Sequence, residues 1–202
     1  MDIELSKEFQ DKVAYIKEHL NSPLYLTGLM GCGKSKLGKQ LAKIFNVDFV
    51  DADQLIVDHA GKSIPEIFDQ DGEEHFRKIE KESVITTTHE QAFRIIALGG
   101  GAFMNDEARG AIQQKAISIF LRATIDTLSE RVGDGKDRPK LTENPNKTPR
   151  EVLEGLIDDR YPTYGEANIT VDIDDQDSLT KEQSIQGNVE RVIDALYTHL
   201  NP

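Results

Sequence analysis

The sequence predicts an α/β fold, a three-layer α/β/α sandwich around a parallel sheet, on three observations. Short apolar runs recur along the chain, amphipathic stretches at helical spacing separate them, and a glycine-rich turn joins one such run directly to one such stretch. Strands divided by helices run parallel, because each crossover returns the chain to the same edge of the sheet.

Phe9, Val13, Ile16 and Leu20 stand at helical spacing, and Asn21-Ser22-Pro23 stops that helix, so residues 1–22 read as an N-terminal helical extension and 23–202 as one domain. Leu24 to Thr27 is the first buried strand. The glycine-rich turn follows, then a helix with its apolar stripe at Leu37, Leu41, Ile44 and Phe45. Further strands are expected at Phe49-Val50, Arg94 to Leu98, Ile117 to Leu121 and Ile169 to Ile173. The longest helix spans about Gly72 to His89 and carries Arg77 and Glu80 in its middle. Thr86-Thr87-Thr88 is expected to fray its end, since β-branched residues lose rotamer freedom in a helix.

From Arg131 to Thr148 the chain turns glycine-, proline- and charge-rich, with no periodicity that could bury a face, and residues of about 133–147 read as a mobile lid. Asp172 to Glu182 is acidic and reads as an exposed connector. A last amphipathic helix carries Val189, Val192, Ile193 and Leu196.

Composition limits what these elements can do. With 202 residues the chain suits one domain with a sizeable core. A net charge of −12 argues against a nucleic-acid partner, which needs a basic face to displace counterions. The same acidic field repels anionic ligands at long range, so any anion site must rest on local cations and backbone dipoles. Cys32 is the single cysteine and cannot form an intramolecular disulfide; inside the glycine-rich turn it reads as small filler. No apolar signal core opens the sequence and no run approaches membrane-spanning length, so a soluble, cytoplasmic protein without a membrane partner is expected.

The strongest chemical signal is Gly28-Leu29-Met30-Gly31-Cys32-Gly33-Lys34-Ser35, the pattern G-x-x-x-x-G-K-S between a buried strand and an amphipathic helix. Glycines let the backbone wrap a phosphate, the helix dipole points at it, and Lys34 brings a cation to the β- and γ-oxygens. Ser35 is placed to ligate Mg²⁺. This makes the fold one of P-loop NTPase type.

Asp51-Ala52-Asp53 follows the second strand, where alternation in an extended segment would send both carboxylates to one side, beside the phosphate loop. Asp51 could hold a water of Mg²⁺ and Asp53 could accept from an attacking hydroxyl; alternatively Asp53 is the N-cap of a helix from Gln54 to His59. Arg77 and Glu80 share a helix face, where the carboxylate can fix the guanidinium, although a surface ion pair would read the same. Gly99, Gly100 and Gly101 follow the third strand, where bare backbone can approach a ligand, at a cost in backbone entropy that a simple connector would not justify.

Arg131, Lys136, Arg138 and Lys140 crowd the lid, and Arg160-Tyr161-Pro162 ends the helix after it. A lid arginine arriving on closure would stabilise charge on a transferring phosphoryl group and exclude water. A solvated loop remains an alternative for Lys136 and Lys140. The five histidines show no ligand spacing, and no metal beyond Mg²⁺ is implied.

Taken in order, GLMGCGKS, VDADQ, FRKIE, LGGG, DRPKL and DRYPTYGEA resemble the shikimate kinase family over about Leu24 to Ile173. The resemblance implies a single P-loop kinase domain that moves the γ-phosphoryl group of ATP to the 3-hydroxyl of shikimate, in aromatic amino-acid biosynthesis. It implies ATP as co-substrate with Mg²⁺, and a monomer whose partners are small molecules. ATP would be held by Gly31, Cys32, Gly33, Lys34, Ser35 and Lys36 with Arg131 and Arg138, and the metal by Ser35 and Asp51. Shikimate would be held by Asp53, Arg77, Gly99 to Gly101 and Arg160, with the two arginines on its carboxylate. Lys34, Asp53 and Arg138 would be the catalytic groups, with Asp53 orienting first and accepting a proton second, because such transition states are loose.

One departure is Lys140, where the family carries an apolar residue after R-P, which bears on lid packing. Two rivals stand beside this reading. A gluconate kinase would share the phosphate loop but is not expected to combine D-x-D, F-R-x-x-E and G-G-G. A nucleotide-gated binding module would be expected to have lost lid or substrate groups, whereas Lys34, Asp53, Arg77, Arg138 and Arg160 are all present.

Overall fold

The computed structural model describes residues 3, 5–90, 92–135, 138–173 and 180–202. Lys136 of the lid and residues 174–179 of the acidic connector lie outside these. In chain order the elements are α1 (Lys7–His19), β1 (Leu24–Thr27), α2 (Lys34–Phe45), β2 (Phe49–Asp51), α3 (Ala52–Ala60), α4 (Ile64–Gln70) and α5 (Gly72–Thr88). There follow β3 (Ile95–Ala97), α6 (Asp106–Lys115), β4 (Ile117–Arg122), α7 (Ile125–Val132), α8 (Pro139–Thr142), α9 (Pro149–Tyr164), β5 (Ile169–Asp172) and α10 (Lys181–Leu200). The five strands form one sheet in the order β2-β3-β1-β4-β5 with every pair parallel.

The register follows from burial. All four residues of β1 are buried, as a central strand covered on both faces requires. Leu24, Tyr25 and Leu26 pair with Ile95, Ile96 and Ala97 on one side and with Ile117, Ser118 and Ile119 on the other. Each leucine and isoleucine of this set contributes roughly 1.5–3 kcal/mol by leaving water. The N-terminal helix joins the same core, because Val13, Ile16 and Leu20 are buried with the sheet residues. It packs on α10, where Lys12 pairs with Asp194 at 2.7 Å and Tyr15 meets Tyr197 edge to face.

Four expectations are corrected. Thr86 to Thr88 do not fray: α5 runs to Thr88, with Thr87 and Thr88 buried. The hydroxyl of Thr87 lies 2.7 Å from Tyr25 Oη, and that of Thr88 donates to Ile85 O, so tertiary burial and back-bonding outweigh low propensity. Helix α9 does not end at Pro162 but continues to Tyr164, with the Gly165 N–H closing on Tyr161 O. The lid is not wholly irregular, since Arg138 begins the short helix α8, whose Leu141 is 1 % exposed. Lys140 beside it is exposed, so Leu141 supplies the apolar packing that Lys140 does not.

The fourth correction concerns the two aspartates. Strand β2 ends at Asp51 and α3 begins at Ala52, so alternation along a strand does not relate Asp51 to Asp53. Asp51 is the N-cap, accepting from the Asp53 N–H at 3.2 Å, which leaves the Asp53 side chain outside the cap.

Candidate active site

The strand order brings the sequence-predicted groups together. Strands β2, β3 and β1 are neighbours, and their C-terminal ends carry Asp51, the triple glycine and the phosphate loop. Loops at the carboxyl edge of a parallel sheet form a crevice. Here the crevice is a cleft of about 1130 Å³, larger than the roughly 300–1,000 Å³ of one small-ligand site. Every residue assigned from the sequence to nucleotide, metal or acceptor lines it, from Gly31 to Lys36 through Asp51, Asp53, Arg77, Gly99 to Gly101, Arg131, Arg138 and Arg160.

The phosphate loop is shaped for close approach. Gly33 caps α2 with φ of 97°, a left-handed conformation that glycine adopts without strain, and no side chain bonds the first turn. The first N–H groups of α2 are thus left for an anion. The Lys34 ammonium donates to Gly28 O at 2.7 Å and Leu29 O at 3.2 Å, which holds the cation over the loop. Ser35 Oγ donates to Asp51 Oδ2 at 3.1 Å. Cys32 is 1 % exposed and fills the turn. Arg131 closes the loop from above, donating from Nη1 to Gly31 O at 3.2 Å and Cys32 O at 3.1 Å.

The other half of the cleft is built on the triple glycine. A Cβ on Gly99 would stand 2.5 Å from Asp53 Oδ1 and 3.1 Å from Glu80 Oε1, and one on Gly101 would overlap Arg77 Nη1. The glycines therefore make room for three charged groups. Arg77 donates to Glu80 Oε2 at 2.7 Å and to Glu73 Oε1 at 3.2 Å, so two carboxylates on its own helix set its rotamer. Glu80 is 4 % exposed, which removes the surface ion pair as an explanation. Arg160 Nη1 and Tyr164 Oη both donate to Gly100 O, at 2.5 and 2.6 Å. The two extra residues of α9 beyond Pro162 are what bring Tyr164 to that carbonyl.

Electrostatics follow from this crowding. Burial and then the nearby Asp51 charge push the Asp53 carboxyl above its ordinary value, against the pull of Lys34 and Arg77. Burial likewise raises Glu80, with its hydrogen bond to Arg77 acting the other way. The site thus sets a carboxylate held at the cost of desolvation beside cationic groups, a pattern common where charge is used for chemistry.

The sequence reading missed parts of the wall. Helix α4 brings Ile64 and Phe68 to the cleft, with Phe68 exposed and its ring 4.7 Å from that of Phe76. The Ser63 and Glu66 capping box with Pro65 inside it marks the start of α4 and was the local signal available. Tyr164 and Asn188 had no local signal, since Tyr164 reaches Gly100 O behind the cleft wall and Asn188 reaches the cleft itself, each from an element remote in sequence.

A family model described as shikimate kinase matches residues 30–196. A shikimate kinase of Rhodopseudomonas palustris is 44 % identical over 149 residues, covering 74 % of this chain and 71 % of that one. One from Bartonella henselae is 37 % identical over 175 residues, covering 86 % and 81 %. Among solved structures, a shikimate kinase from Acinetobacter baumannii in complex with shikimate superposes with a TM-score of 0.77 at 26 % identity, covering 92 % of this chain and 97 % of that one.

Proposed function

Because the chain belongs to the shikimate kinase family, we propose that it moves the γ-phosphoryl group of ATP to the 3-hydroxyl of shikimate, giving ADP and shikimate 3-phosphate. The observation that carries this reading is the triple glycine pressed against Asp53, Arg77 and Arg160, an acceptor pocket with cations for a carboxylate and an anion for a hydroxyl. We take residues 23–202 as the kinase unit and residues 1–22 as a helical addition to it.

The roles follow from chemistry. Arg77 and Arg160 take the acid's carboxylate, each offering a planar fork whose charge-assisted bonds contribute about 1.5–3 kcal/mol. Asp53 orients the attacking hydroxyl and then accepts its proton, while the hydroxyl oxygen bonds the γ-phosphorus and the bond to the ADP oxygen breaks. Lys34 exchanges its loop carbonyls for the β- and γ-oxygens. Arg138, from the start of α8, adds positive charge to the transferring group. The backbone N–H groups of the loop, with Lys36 and Arg131, hold the rest of the triphosphate.

Ser35 and Asp51 present adjacent hard oxygens at the phosphate loop, a donor set that suits Mg²⁺, which binds through one or two protein oxygens and the phosphates. When bound, Mg²⁺ supplies charge neutralisation on the phosphate oxygens. Among the described residues no helix is long and apolar enough to cross a membrane.

The test is ADP release from Mg-ATP with shikimate, beside gluconate and a no-acceptor control. Turnover that depends on shikimate alone supports the reading. Release with gluconate only, or none with either, overturns it.

A further inference from the structure

The triple-glycine wall is braced from behind. Arg160 and Tyr164 stand four residues apart on α9, a spacing that sets both side chains on one face of the helix. That face meets the glycines, where Arg160 Nη1 and Tyr164 Oη converge on the Gly100 carbonyl oxygen at 2.5 and 2.6 Å. A carbonyl oxygen has two lone pairs, so the two donors fill it.

The two donors differ in freedom. Arg160 is half-buried and lines the cleft. Tyr164 is fully buried, its ring 5.4 Å from that of Phe120 and 6.5 Å from that of Phe103. The chain just beyond it is held as well. Arg109 Nε donates to Glu166 Oε2 at 2.8 Å and its Nη1 to Phe103 O at 3.2 Å, while Gln113 Nε2 donates to Glu166 O at 3.1 Å. Burial pushes the Tyr164 phenol above its ordinary value, so it keeps its proton and donates at neutral pH. Tyr164 is thus the fixed donor, and the carbonyl it holds is the anchor for the freer one.

We propose that Tyr164 is a positioning residue for the acceptor: its hydroxyl fixes the Gly100 carbonyl, the carbonyl anchors Nη1 of Arg160, and the guanidinium keeps its Nε and Nη2 edge for the acceptor's carboxylate. That edge is a planar fork, which a carboxylate meets with both oxygens. Without the hydroxyl the carbonyl can turn about the flexible glycines on either side, and Arg160 turns with it. Set behind the wall, Tyr164 reaches the acceptor only through Arg160. This inference rests on the kinase reading for the identity of the acid.

The experiment is a cycle of wild type, Tyr164→Phe, Arg160→Ala and the double variant, with melting temperatures to establish folding. Tyr164→Phe keeps the ring and loses only the donor. Its KM for shikimate should rise about five- to tenfold, the loss of one hydrogen bond, with kcat and the KM for ATP within about twofold of wild type. A residue that only held the fold together would lower the melting temperature and leave the KM for shikimate alone, or move it together with the KM for ATP. In the Arg160→Ala background the same change should alter the KM for shikimate by less than about twofold, because Tyr164 acts through the guanidinium. Equal effects of Tyr164→Phe in the two backgrounds, or no selective effect in wild type, would overturn the assignment. Denaturant unfolding without ligand tests the shared carbonyl by itself. Each single variant leaves that oxygen one donor, so the double variant should lose more stability than the two singles summed, and additive losses would overturn the pairing. A coupled cycle in a protein that phosphorylates no shikimate would refute the kinase reading and leave the anchoring of Arg160 standing.

Discussion

Gly99 faces Asp53 so closely that a single added methyl group would stand 2.5 Å from the carboxylate oxygen. The proposed acceptor pocket is therefore set by an absence of side chain. Gly99→Ala should push Asp53 off its position and lower kcat/KM for shikimate about 100-fold, since misplacement by about 1 Å costs that much. Affinity for ADP, measured by calorimetry, should stay within about twofold. A variant of wild-type activity would mean that Asp53 is not the orienting group.

Asp53→Asn should separate stability from activity. The folded-state pKa of Asp53 lies above its ordinary value, so the folded protein holds this proton more tightly than the unfolded chain. Stability is therefore lost as pH rises through the interval between the ordinary value and the raised one. The amide removes that cost, and melting temperature should rise at neutral pH, about 2–4 °C for each kcal/mol relieved, with no gain below the ordinary carboxylate range. Shikimate phosphorylation should fall at least 100-fold, and a melting temperature lower than wild type at neutral pH would contradict the stated cost of burial.

Arg77 and Arg138 should divide KM from kcat. Arg77→Lys keeps the charge beside Glu80 but loses the planar fork, and is expected to raise the KM for shikimate about 10- to 100-fold with a smaller change in kcat. Arg138→Ala should lower kcat about 100- to 1,000-fold with a smaller change in KM, because in the proposed mechanism its charge acts mainly as the phosphoryl group moves. Steady-state kinetics decide it, and equal losses in both parameters for both variants would refute the division.

The lid rests on Leu141 and not on its neighbour. Leu141→Ala is expected to destabilise by about 2–5 kcal/mol, as for a buried leucine, and to lower kcat by loosening Arg138. Lys140→Leu should change melting temperature and kcat little. Denaturant unfolding of the two variants checks both statements.

Lys34→Ala should abolish measurable transfer while the chain still folds, since among the described residues the ammonium contacts only loop carbonyls and the Cys32 sulfur. Retention of the wild-type rate would remove the phosphate-loop assignment.

The sequence by itself determined the features whose parts are contiguous. Gly28 to Ser35 can be read as a phosphate loop because the strand, glycines, lysine and helix start follow one another along the chain, and backbone geometry alone puts them in register. The parallel sheet was likewise legible from apolar runs divided by helices, and FRKIE places Arg77 beside Glu80 through helix periodicity. Only the tertiary structure decided that Asp51 and not Asp53 is the cap, that Glu80 is buried, and that Thr87 and Thr88 stay helical because they are buried, Thr87 against Tyr25. It also decided that Tyr164 reaches Gly100 and that Asn188 lines the cleft that begins at Gly31. These relations depend on strand order, which places segments distant in the chain side by side. Local spacing carries periodicity and composition, but no record of which edge of the sheet a later segment will join.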